Sequence, residues 1–171
     1  FFLFFLILTL AAGIAHAQKE RGASQAALIW NDYYDLGWHD FEGVPGEDAV
    51  GNAGTVVQIK AKPYLIRNKV EYDVVAVFLR NKSWVIGKSD QLLAHERLHF
   101  DIAELYARKI RKKVLDLKER NITDLKIYNA AVKEILDQSN AADIQYDTET
   151  LHGSLLRKQD AWEAKVAEQL H

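Results

Sequence analysis

Two histidines four residues apart, with a glutamate directly after the first, carry the clearest chemistry in the chain: His95-Glu96-Arg97-Leu98-His99. On a helix, side chains at i and i+4 share a face, so both imidazoles can reach one ion. Glu96 lies about 100° further round the helix, beside such an ion rather than on it. That is the position of a general base for a water activated by the metal.

A zinc site of this kind needs a third protein ligand and an open position. The chain has no Cys, so the candidates are His, Asp and Glu, and disulfides and thiolate sites are excluded. Asp101 and Glu104 are near in sequence but fall on the opposite side of the helix from His95 and His99. Of the other histidines, His16 lies in the leading apolar segment and His171 is the final residue, which leaves His39 and His152. His152 is the preferred third ligand. It follows a polar cluster, Tyr146-Asp147-Thr148-Glu149-Thr150-Leu151, and precedes Gly153, where the backbone can turn sharply or approach another group closely. Glu149 is the alternative metal ligand, and His39 ranks behind it. Asp147 is expected to orient a ligand histidine through its second nitrogen. Tyr146 is expected to donate to a developing oxyanion.

The elements that must position these groups read as α+β. Val57, Ile59 and Ala61 alternate with Gln58, Lys60 and Lys62, and Val70, Tyr72, Val74, Ala76 and Phe78 form a second alternating run. Asn81-Lys82-Ser83 reads as a turn. Gly43, Pro45, Gly46, Gly51 and Gly54 mark a surface loop. Helical periodicity begins at Ser89, a plausible N-cap, and runs to about Arg120. Its apolar stripe is Leu98, Ile102, Leu105, Tyr106, Ile110 and Leu117, and both motif histidines fall inside it. Asp101, Glu104, Arg108, Arg111 and Lys112 fall on the other side. A second helix should start near Thr123 and bury Leu125, Tyr128, Val132, Ile135 and Leu136. A third should start near Ser154 and bury Leu155, Trp162, Val166 and Leu170. A small N-terminal sheet followed by three helices, with the motif on the first long helix, is the expected architecture.

Composition narrows the function classes. The 22 Lys and Arg nearly balance 24 Asp and Glu, for a formal charge of −2. That balance argues against nucleic-acid binding by bulk electrostatics. The basic run from Arg108 to Arg120 reads as the solvated face of a helix, and Trp30, Trp38, Trp84 and Trp162 read as core or interface. Residues 1–17 hold no Asp, Glu, Lys or Arg and end Ala15-His16-Ala17, an A-x-A pattern. They are expected to be the apolar part of a signal peptide cut after Ala17, leaving residues 18–171 as one domain, secreted or periplasmic and without a stable membrane anchor.

Three blocks carry a resemblance to a known bacterial family: residues 36–43 (Leu36-Gly37-Trp38-His39-Asp40-Phe41-Glu42-Gly43), residues 93–103 around the H-E-x-x-H motif, and Tyr146-Asp147 through Thr150-Leu151-His152-Gly153. Together they resemble domain-of-unknown-function 922, described as predicted secreted zinc-dependent proteases and grouped with the zincin-like metallopeptidases. The resemblance spans about residues 30–170. It implies a zincin-like fold and Zn²⁺-dependent hydrolysis of a peptide or protein substrate. The chain matches at His95, Glu96, His99 and His152. Leu105 stands where a metzincin would place its third histidine, which excludes that subclass. Two alternatives share the motif: a non-catalytic zinc-binding secreted module, and a hydrolase of a non-protein amide such as a cell-wall cross-link.

Overall fold

The computed structural model describes residues 26–170. The apolar segment 1–17, its expected cleavage point and His171 lie outside the described residues. The fold is α+β. Strand β1 (Ala27–Ile29), a 3-10 turn (Trp38–Asp40), β2 (Ala53–Gly54), β3 (Val57–Ile66), β4 (Lys69–Leu79) and β5 (Trp84–Val85) precede three helices, α1 (Asp90–Glu119), α2 (Leu125–Thr150) and α3 (Leu156–Leu170). The main sheet is antiparallel with order β1-β4-β3, and β2 pairs with β5 in a two-stranded ladder.

Alternation explains why β4 is central. Val70, Val74, Ala76 and Phe78 all point to one face and are buried. That face meets α1 through Phe100, Ala103, Ala107, Ile110, Val114 and Leu117. Phe78 is fully buried, against Phe41 at 5.1 Å and Phe100 at 5.9 Å between ring centroids. Burial of one such ring contributes about 1.5–3 kcal/mol. The opposite side of α1 packs Leu98, Ile102 and Leu105 against Ala142 and Tyr146 of α2 and Trp162, Val166 and Leu170 of α3. Helix α1 is thus the central element, covered by the sheet on one side and by two helices on the other.

The start of α1 follows its sequence signal: the Ser89 side chain accepts a hydrogen bond from the Leu92 amide at 3.1 Å. Three details differ from the sequence reading. Glu104 is buried rather than on a solvated face, because Arg108 (3.0 Å) and Arg111 both pair with its carboxylate and cover it. Leu155 is exposed, since it precedes α3 in the connecting turn. The 146–150 block is not a polar cluster between helices but the last turns of α2. Among the described residues, no helix is long and apolar enough to cross a membrane.

Candidate metal centre

His95 and His99 project from the α1 face that meets α2 and α3, and both are buried. Directly opposite, α2 presents Asp143 and Asp147, also one turn apart. The two i, i+4 pairs interlock. His95 Nε2 lies 3.1 Å from Asp147 Oδ1, and His99 Nε2 lies 3.2 Å from the same oxygen. His99 Nδ1 lies 2.6 Å from Asp143 Oδ1. His152, on the turn after α2, brings Nδ1 to 3.4 Å from that same Asp147 oxygen. Three imidazoles therefore converge on one carboxylate oxygen.

The orientation of His95 is fixed from behind. Gln159 of α3 donates its Nε2 to Glu163 Oε1 at 2.8 Å, which turns its own Oε1 toward the site. That oxygen accepts from the Tyr146 hydroxyl at 2.7 Å and faces His95 Nδ1 at 3.2 Å. An acceptor at Nδ1 makes that nitrogen the donor and leaves the Nε2 lone pair of the neutral ring aimed at Asp147. A lone pair facing a carboxylate oxygen is favourable only with a proton or a cation between them. His99 presents the same requirement, with a carboxylate at each ring nitrogen.

The electrostatics follow. Burial pulls the His99 imidazole down, but its hydrogen bonds to Asp143 and Asp147, and their charges, outweigh this and push it up to about 10. Burial alone would raise the Asp147 carboxyl. Hydrogen bonds from His95 and His99, with the nearby charges of His99 and His152, hold it well below the ordinary range.

The turn that delivers His152 is unusual in its backbone. Leu151 (φ 47), His152 (φ 51) and Gly153 (φ +77) are three consecutive left-handed residues. Non-glycine residues in this region cost of order 1–2 kcal/mol each and cluster at functional sites. The turn is tied down by the His152 amide on Asp147 O (3.0 Å), the Gly153 amide on Thr150 Oγ1 (3.2 Å) and Gln91 Nε2 on Gly153 O (2.6 Å). Gly153 is required at its position. A Cβ there would stand 2.8 Å from His95 Cβ and 2.9 Å from His95 Cγ.

The donor set suits a metal. His95, Asp147 and His152 each offer a ligand atom within 4.8 Å of the others, and His99 Nε2 reaches the same carboxylate. Donors around a tetrahedral zinc with bonds near 2.0 Å are about 3.3 Å apart. The three nitrogen-to-Oδ1 distances, 3.1, 3.2 and 3.4 Å, bracket that value.

The remaining sequence candidates fall elsewhere. Glu149 points away from the centre, accepting from Gln145 Nε2 (2.6 Å) and Trp162 Nε1 (2.9 Å), and these hydrogen bonds lower its pKa. His39 is exposed beside Asp40 on the 3-10 turn and, among the described residues, joins no metal-ligand group. Asp101 accepts from Trp30 Nε1 at 2.7 Å. The Tyr146 hydroxyl, expected to face a developing oxyanion, is instead fully buried and donates toward Gln159 Oε1 and the His95 carbonyl (3.1 Å). Its ring stacks on His95 at 4.6 Å and meets His99 edge-on at 5.0 Å. Tyr146 therefore acts as the floor under both imidazoles. Asp147, expected behind a ligand, stands among the ligand atoms. Glu96 is buried, and among the described residues its carboxylate has no hydrogen-bond or ion-pair partner.

Asp143 and Gln159 were missed in the sequence. Asp143-x-x-x-Asp147 repeats the spacing of the two histidines and was the available signal. Gln159 offered none. Beside the centre, a groove of about 320 Å³ runs between β3 and helices α1 and α2, walled by Gln58, Ile59, Leu136 and Asn140 and reaching His99 and Asp143.

Fold and site together define an α+β protein with a histidine- and aspartate-built candidate metal centre. Its residues 81–153 match the family model described as a bacterial protein of unknown function (DUF922). That match includes the H-E-x-x-H helix and the 146–153 block, and leaves residues 36–43 outside. Comparison with curated proteins and with solved structures gives no match.

Proposed function

We propose that the protein is a zinc-dependent hydrolase of peptide bonds, exported by the segment at residues 1–17. The observation that carries this reading is the convergence of His95, His99 and His152 on Asp147, with Glu96 a buried residue next to His95 on the same helix. The three imidazoles provide nitrogen donors and Asp147 an oxygen donor. Zinc held there would polarise a carbonyl and lower the pKa of a water to about 7. Glu96 removes the proton of the attacking water and passes it to the leaving amine. Gln159 and Asp143 hold the imidazoles in the ligating orientation. His152 has a side chain 69% exposed, so it is the donor with room to swing aside and open a position for substrate. The outer edge of β3 is unpaired among the described residues, and a peptide can add there as a further strand along the groove that reaches His99.

One observation favours a second reading. Four donors around one ion close a tetrahedral site, as in a structural zinc module. Glu96 separates the two. Purified protein, wild type and Glu96→Gln, is assayed for bound zinc and for cleavage of an unfolded protein substrate. The hydrolase reading expects retained zinc and cleavage reduced by about 10²–10⁴-fold. Equal cleavage by both, or none by the zinc-loaded wild type, overturns it.

A further inference from the structure

The β3–β4 hairpin is exposed throughout its tip. Residues 62–69 read Lys-Pro-Tyr-Leu-Ile-Arg-Asn-Lys. Tyr64, Leu65 and Ile66 are 44%, 62% and 51% exposed and consecutive. Lys62, Arg67 and Lys69 flank them, all exposed, and the segment contains no acid. The nearest acids stand on the facing strand, with Glu71 in register opposite Tyr64. Glu71 is neutralised by Lys118 (2.6 and 2.7 Å), and Asp73 pairs in register opposite Lys62.

The tip closes tightly. Arg67 (φ 48) and Asn68 (φ 62) form a two-residue left-handed turn, and Ile66 pairs directly with Lys69. A long, exposed apolar strand end is a liability that proteins normally cover or charge. Here the charges within residues 62–69 are all basic and flank the apolar residues instead of interrupting them. The base of the tip sits against Lys118 and Asn121 at the C-terminal end of α1, and His95 lies near its N-terminal end. At 1.5 Å per residue His95 and Lys118 are about 35 Å apart, so this surface is separate from the metal centre.

We propose that this hairpin tip docks on an anionic lipid bilayer, with Tyr64, Leu65 and Ile66 entering the headgroup region and Lys62, Arg67 and Lys69 facing the phosphates. A convex apolar wedge inside a cationic collar fits an interface that is apolar below and anionic above, and an aromatic residue is favoured at that depth. Each basic residue near such a surface strengthens binding by roughly five-fold. Removing all three weakens it by roughly a hundredfold.

The absence of Cys allows a local test in the full chain. Leu65→Cys is labelled with a polarity-sensitive fluorophore and mixed with phosphatidylcholine vesicles with or without about one third phosphatidylglycerol. Val50→Cys, exposed on the loop before β2, serves as the remote label. The proposal expects a blue shift at position 65 with the anionic vesicles alone, no shift at position 50, and loss of the shift in the Lys62→Gln, Arg67→Gln, Lys69→Gln variant. Circular dichroism checks that this variant folds. An unshifted label at 65, an equal shift on neutral vesicles, or an equal shift with the triple variant overturns the proposal. So does an equal shift with duplex DNA, or one that appears without vesicles as protein concentration rises, which marks self-association.

Discussion

Replacing Gly153 with Ala tests whether the turn after α2 sets the position of His95. The added Cβ would stand 2.8 Å from His95 Cβ and 2.9 Å from its Cγ. Carbon atoms in ordinary contact are about 3.5 Å or more apart, so the turn and the imidazole must separate by roughly 0.7 Å. The residue also sits at φ +77, where a side chain adds about 1–2 kcal/mol of strain. Strain and crowding together should cost about 2–3 kcal/mol. For a domain of this size that lowers the melting temperature by about 5–10 °C. His95 is already held by Gln159 and Asp147, so its ring can yield only by breaking that alignment. Ligand geometry tolerates about 0.5 Å, so zinc affinity should fall by at least about tenfold. The assay pairs thermal melts of the metal-free protein with zinc titration against a competing chelator. Gly46→Ala is the control, because a Cβ there meets nothing within 4 Å. Wild-type zinc affinity in Gly153→Ala would refute the reasoning, even if the melting temperature fell.

Other outcomes follow from the same geometry. Asp143→Asn removes the carboxylate at His99 Nδ1 and should lower zinc affinity by about 10–100-fold, measured by the same titration. Glu149→Ala should leave zinc affinity unchanged, because that carboxylate serves Gln145 and Trp162; a loss would restore it as a ligand. The metal-free protein should show opposed pH limits in denaturant titrations. The raised His99 gives stability that is complete below about pH 6.5 and fades as pH rises toward about 10. The depressed Asp147 gives stability that is complete above its ordinary value of 3.8 and is lost on acidification below it. The plateau therefore lies between about pH 4 and 6.5. Zinc affinity should rise with pH across the neutral range, because binding must displace the His99 proton.

Much of the scaffold was legible because its signals are local. Ser89 caps its helix through its own hydroxyl, and alternation over residues 57–62 and 70–78 marked most of β3 and β4. Strands of two or three residues, such as β1, β2 and β5, are too short to show a period. The inward direction of His95 and His99 was readable from the stripe around them. Their partners were not, because that required knowing that α2 continues unbroken past Ser139 and Asn140 to Thr150. Once it does, Asp143, Tyr146 and Asp147 share the inner face, while Glu149 turns toward Trp162. Glu104 misled for a related reason. A charged residue is read as solvated unless its neutralising partners are known, and Arg108 and Arg111 became its cover only through the fold. Gln159 carries no chemical signature, and only the packing of α3 against α1 reveals its place behind His95.

The contact between Gln159 and His95 also sets a schedule. Sixty-four residues separate them, and Gly153 must close on the same ring from between. During synthesis, the histidine pair emerges long before the groups that aim it. A nascent chain made only through α2 would hold His95 with its Nδ1 unfixed and its outer face uncovered. The Gln159 contact that aims His95 therefore arrives last, when α3 docks. In the proposed hydrolase, that timing would leave His95 unaimed while the backbone is still unfolded and exposed.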